Sequence, residues 1–187
     1  MSRPASSHAW IKDVLTFWFE DVGADSWYAK DDAIDAAIRE RFGALFLAVA
    51  QTTPADEPAT THGALAAVIV LDQFPRNMFR GSPQAFATDA HALAIAEAAI
   101  ARGLDRELAM GERQFLYMPF QHSEDGAVQA RSVELFASLG NAEVLRFAES
   151  HKEIVDRFGR FPHRNAVLGR TSTPEEIAFL DEPGSSF

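Results

Sequence analysis

The sequence predicts an all-α domain, for three reasons. Apolar residues recur three and four apart in nearly every segment, no stretch alternates strictly with β-branched residues, and capping residues bracket the periodic runs. Ser7 can cap a first helix carrying Trp10, Ile11, Val14, Leu15 and Trp18, which ends near Asp21-Val22-Gly23; its Trp and Phe density suggests a buried lid. A second helix spans residues 31–50 with Ile34, Ile38, Phe42, Leu45 and Val49 on one face, and Asp31, Asp32 and Asp35 suit its positive N-terminal end. Residues 51–61 hold two prolines and no large apolar side chain, the composition of a linker loop inside one domain.

The third helix, 62–73, is apolar nearly all round and reads as a central rod, expected to stop before Pro75 because a residue preceding proline avoids the helical region. Ser82-Pro83 reads as N-cap and first residue of an alanine-rich helix ending at Gly103. Further helices are expected at 112–118, 124–139 with Ser123 as its cap, and 142–158 between Asn141 and Gly159. Thr173-Pro174-Glu175-Glu176 is a capping box that starts a last short helix through Leu180, and 182–187 form a tail. The total is seven to nine mostly antiparallel helices in a single domain over 1–187, as a bundle or a stack of helix pairs.

Composition narrows the function. At 187 residues the chain can bury roughly 70% of its unfolded surface, and 47% hydrophobic with 24% charged residues argues against disorder, collagen or coiled coil. With no cysteine there is no disulfide, thiol nucleophile or thiolate-held cluster, so a metal would fall to His, Asp and Glu. The histidines at 62, 91, 122, 151 and 163 are never four apart and no His-Glu-x-x-His occurs, so neither a metal site nor a cofactor is expected. A formal net charge of -10 disfavours a nucleic-acid partner. The longest apolar stretch, residues 64–71, is too short for a membrane span, and Lys12-Asp13 interrupt any signal core, so the expected location is the cytoplasm.

Two loops echo each other: Gln73-Phe74-Pro75-Arg76-Asn77 and Gly159-Arg160-Phe161-Pro162-His163-Arg164-Asn165. In each, proline fixes the turn and throws a guanidinium and an amide off a helix end, a pair suited to gripping a carboxylate or phosphate. Residues 74–88 and 157–174 contain no acid, so an acidic chain has built two local positive fields. Arg76, Asn77, Arg80, Arg160, His163, Arg164 and Asn165 are therefore the candidate anion ligands, provided that the two proline hinges meet. The bland alternative has these arginines bridging to helix carbonyls and to buried acids such as Asp72. A third proline-broken end, Tyr117-Met118-Pro119-Phe120-Gln121-His122-Ser123-Glu124-Asp125, delivers His122, which Asp72 or Glu124 could orient as a general acid or base.

These same strings carry a resemblance. Leu71-Asp72-Gln73-Phe74-Pro75-Arg76-Asn77-Met78-Phe79-Arg80-Gly81, Phe115-Leu116-Tyr117-Met118-Pro119-Phe120-Gln121-His122-Ser123-Glu124 and Phe158-Gly159-Arg160-Phe161-Pro162-His163-Arg164-Asn165 resemble the signature blocks of an uncharacterised bacterial family, domain of unknown function 924. Val14-Leu15-Thr16-Phe17-Trp18-Phe19 and Leu168-Gly169-Arg170-Thr171-Ser172-Thr173-Pro174-Glu175-Glu176 extend the likeness over nearly the whole chain. It implies an all-α fold similar to tetratricopeptide-like helix stacks and supplies no activity or catalytic residue. The chain departs from that pattern at Gln121, where relatives tend to carry a hydrophobic residue, and in its proline-rich 51–61 linker.

The leading expectation is a soluble helical binding protein whose pocket takes a small anion or a carboxylate-bearing peptide end, with a protein partner also open. In one variant the chain's own terminus, Ser185-Ser186-Phe187, folds back onto the arginines. Two rivals stand beside it. One is a hydrolase of phosphorylated or carboxylated metabolites that uses His122 or His163 as general acid/base and Asp72 or Glu124 to orient it; the other is a scaffold with no ligand.

Overall fold

The computed structural model describes residues 9–53 and 60–185, in which nine α-helices and no strand occur. The expected cap Ser7, much of the 51–61 linker, and Phe187 lie outside the described residues. No described helix is long and apolar enough to cross a membrane.

Helix α1 (Ala9–Thr16) runs into a wide turn at Phe17–Val22, and α2 spans Asp32–Val49 with Asp31 accepting from the amide of Ala33 at 2.7 Å. Far from being a lid, the end of α1 belongs to the core. Trp18 is buried, and its ring lies 5.9 Å from Phe74 and 5.6 Å from Phe115, both edge-on.

The central rod is α3 (Thr61–Val68), a π-type turn at Ile69–Gln73 and α4 (Phe74–Met78) in one continuous run, buried from Gly63 through Pro75. It does not stop before Pro75 as the sequence suggested. The widened turn carries an extra residue, so the amide of Phe74 reaches back five residues to the carbonyl of Ile69, and proline enters without breaking the helix. Pro75 has no N–H to offer the carbonyl of Leu71, and the Thr88 hydroxyl donates to it instead at 2.6 Å. That contact also explains why the alanine-rich segment is divided. A short 3-10 turn at Pro83–Phe86 comes first, and α5 starts at Asp89 and runs to Ala101.

Helix α6 (Met110–Gln121) starts two residues before the expected position and tolerates Pro119 in its last turn. Helix α7 (Gly126–Ala137) is capped by Asp125 and not by Ser123: Asp125 takes the amides of Ala127 and Val128 at 2.8 and 3.1 Å. Ser123 instead accepts from the amide of Asp125 at 3.1 Å, and Glu124 is turned away toward Arg170. Helices α8 (Ala142–Phe158) and α9 (Pro174–Leu180) match their expected bounds, with Gly159 ending α8 at φ 68°. Packing joins α7 to α6 and α8, α3 to α5 and α6, and α2 to α4.

Two ion pairs tie distant segments. Asp35 on α2 accepts from Asn77 at 2.8 Å and from Arg80 at 2.5 and 3.0 Å, and Glu176 on α9 accepts from Arg160 at 2.6 and 2.8 Å. Burial alone would raise the Asp35 carboxyl, but these donors hold it below the ordinary carboxylate range. Replacing Asp35→Ala leaves a buried amide and a guanidinium without their acceptor, and should cost about 2–3 kcal/mol of unfolding free energy. A urea midpoint unchanged from wild type would show that this pair does not hold α2 to α4.

Candidate functional site

The wide turn places Asp72 where an α-helical register would not, fully buried beneath a pocket. Three groups converge on it. His122, just past the end of α6, approaches with Nδ1 at 2.8 Å; Arg76, one turn on, takes the Asp72 carbonyl at 2.6 Å and its carboxylate at 3.4 Å; and the Gln73 amide donates to the second carboxylate oxygen. A carboxylate only accepts, so His122 Nδ1 carries the proton and Nε2 is left with its lone pair. The side chain of His122 is 13% exposed and lines the pocket, to which Nε2 is therefore its polar offering.

His122 is held from behind. Fully buried Gln129 on α7 spends both N–H groups of its amide on the carbonyls of Gln121 and Ser123, at 2.7 and 2.6 Å, the two residues flanking the histidine.

The proline hinges meet at Asp89, the first residue of α5. Arg76 from the first hinge grips it with two bonds of 2.8 and 2.9 Å, and Arg164 from the second reaches it with one of 3.5 Å. The Arg164 guanidinium is sandwiched 4.6 Å from the rings of both Phe86 and Phe161, and its Nε–H has no acceptor. The pocket has a volume of about 380 Å³, with Arg164, His122, Ser123, Glu124 and Asp89 among apolar walls that include Phe86 and Leu93.

The other candidates lie elsewhere. Asn77 and Arg80 serve Asp35; Arg160 and Asn165 serve Glu176, the latter also donating to Ser172 at 3.0 Å and accepting from Arg170 at 3.0 Å. His163 is half-buried beside Phe161, ring centres 5.6 Å apart. Glu124 sits on the pocket wall but is gripped by Arg170 at 2.7 and 2.9 Å and by the amide of Phe161 at 2.8 Å. Asp89 and Phe86 were not among the candidates. The one hint was that Asp89 is the first acid after the acid-free window 74–88. Among the described residues, no three His, Asp or Glu side chains gather to hold a metal ion.

The family model described as bacterial protein of unknown function, DUF924, matches residues 14–184. The chain belongs to this family. The solved structure of a protein of unknown function, ATU0120 from Agrobacterium tumefaciens, is 41% identical, covers 94% of this chain and 99% of its own, and superposes with a TM-score of 0.89. No curated protein matches.

Charge within this DUF924 pocket is tightly balanced. Burial alone would raise the Asp72 carboxyl, but the Arg76 charge and the donated hydrogen bonds outweigh it and hold Asp72 well below the usual carboxylate range. Burial and then Arg76 push His122 below the ordinary histidine value, so its ring is neutral near pH 7. Burial, helped by repulsion from Arg76, brings Arg164 down to about 10, which leaves it charged at neutral pH. Burial above all also lowers His151 to about 3 and His163 to about 4.

These last two shifts fix a sign. Between pH 6.5 and about 4, the unfolded chain takes up protons that folded His151 and His163 refuse, so the stability they contribute is full above pH 6.5 and falls as the solution is acidified. Each supplies a slope of up to about 1.4 kcal/mol per pH unit. Melting curves should therefore show little change of Tm from pH 7.5 to about 6.5 and a steady loss from there to pH 5, shallower in His151→Gln. A Tm that is flat over this range would contradict the burial of both rings in neutral form.

Proposed function

We propose that the pocket binds a small organic anion, with Arg164 as its charged contact. One observation supports this above all: Arg164 is a buried cation whose ion-pair partner among the described residues, Asp89 at 3.5 Å, is already held by two bonds from Arg76, and whose Nε–H has no acceptor. A buried guanidinium so poorly paired gains from a carboxylate or phosphate oxygen brought into the pocket. Sandwiching between Phe86 and Phe161 fixes its plane in advance and lowers the ordering cost of binding. Arg76 supports the site indirectly, since it takes up both carboxylate oxygens of Asp89 and leaves Arg164 with a single long contact to that acid.

The hydrolase reading has its own support in the 2.8 Å contact between Asp72 and His122 Nδ1. A neutral imidazole oriented by a buried carboxylate is equipped to take a proton from water at Nε2. Turnover of p-nitrophenyl phosphate or a p-nitrophenyl carboxylate ester by wild type and not by His122→Asn would carry that reading.

Binding is tested first by thermal shift of the full chain against carboxylates, phosphates and nucleotides. A ligand at about a hundred times its Kd stabilises by about 2.7 kcal/mol, which for a chain of this size is a rise of roughly 5–10 °C. The rise should vanish in Arg164→Met and persist in Arg160→Met, whose guanidinium belongs to the Glu176 pair. No shift with any anion leaves the scaffold reading in possession, and a shift that survives Arg164→Met overturns the assignment of Arg164 as the charged contact.

A further inference from the structure

We infer that the ligand is an apolar monocarboxylate that carries a hydrogen-bond donor, a hydroxyl or an ammonium, beside its carboxylate. This deepens the anion-binding proposal and rests on it.

The first ground is the orientation of His122. Its Nδ1 proton is committed to Asp72 at 2.8 Å, so the nitrogen left to the pocket is a lone pair. An oxygen of a bare carboxylate or phosphate set against that lone pair is repelled. An O–H or N–H set there is bonded. The ring cannot readily turn to offer a proton instead, because doing so would strip the fully buried Asp72 of a donor.

The second ground is the charge count. Three acids, Asp72, Asp89 and Glu124, meet three arginines, Arg76, Arg164 and Arg170, and of these arginines Arg164 is the one with a buried N–H, at Nε, that has no acceptor. Two of the acids, Asp89 and Glu124, are on the pocket wall itself. A phosphate dianion would face both across a low-dielectric space with one cation to answer it. A single carboxylate adds one negative charge where the dianion adds two, and a donor beside it, above all an ammonium that restores the balance, finds further acceptors in Asp89.

The third ground is the remainder of the wall. Phe86, Leu93, Pro119 and Leu168 give it an apolar side, and at about 380 Å³ the pocket lies toward the small end of ligand sites. An aromatic or branched aliphatic body meets those residues, while its polar end is shared between Arg164 and His122.

The test is isothermal calorimetry on the full chain at pH 7.5 with matched probes. One set is 3-phenyllactate, phenylalanine and 3-phenylpropionate; the other is 2-hydroxy-4-methylpentanoate, leucine and 4-methylpentanoate; phenyl phosphate is the dianion. In at least one set the hydroxy or amino acid should bind about tenfold tighter than its plain acid. Which of the two does so separates hydroxyl from ammonium. In His122→Leu the advantage should fall to within about twofold while the plain acid keeps its affinity. If that variant does not fold, the wild-type comparison decides alone. Equal binding of plain and donor-bearing acids, or tighter binding of phenyl phosphate, overturns this inference and leaves the anion pocket standing. No binding of any probe or of any anion in the thermal-shift series overturns both.

Discussion

A carboxylate with no access to water sits at the centre of this molecule, and much of the arrangement near it follows from keeping Asp72 ionised. An isolated charge in such a place is very costly, so the fold must bring compensation from several directions. Arg76 comes from the next turn of the same rod, His122 from the end of α6 and Gln73 from the neighbouring position. Arg76 in turn requires a second acid, which is Asp89 at the head of α5, and Asp89 then draws in Arg164 from the loop after α8. Four segments far apart in the chain are thus locked to one another through alternating charges, and the pocket is the space left where the sequence of pairs ends on an incompletely matched cation.

This arrangement separates two jobs that arginine performs in the same chain. Arg80, Arg160 and Arg170 each meet a carboxylate with two bonds and hold loops to the helical body. Arg164 has the same chemistry, yet its partner is shared and its contact is long. Nothing intrinsic to the residue makes the difference. It arises from how many donors already surround the acid that Arg164 reaches.

The helices were legible in the sequence because apolar spacing and capping residues are local, and α8 and α9 fall where Asn141, Gly159 and Thr173 put them. The acid-free windows contain Arg76 and Arg164, which share Asp89 in the fold. Asn77, Arg80, Arg160 and Asn165 share those windows but are bound to Asp35, far back in the chain, and to Glu176, just past the second window, so their allegiance is a matter of tertiary geometry. Pro75 was misread for a subtler reason. Proline forbids an ordinary helical continuation, and a helix can evade that rule by widening one turn, which leaves no mark in a list of residue types. Asp89 was passed over because an alanine-rich helix with an acid at its start looks complete in itself.

The widened turn has a consequence for how this chain can change. An added residue shifts everything beyond it by about 100° around the axis relative to everything before it. The upper and lower halves of the rod thereby present different sides to the same neighbours. Losing one residue between 69 and 73 would bring the halves into phase and swing the acid away from the imidazole, even if every remaining side chain were kept. For this segment, the number of residues matters to the geometry as much as their kinds.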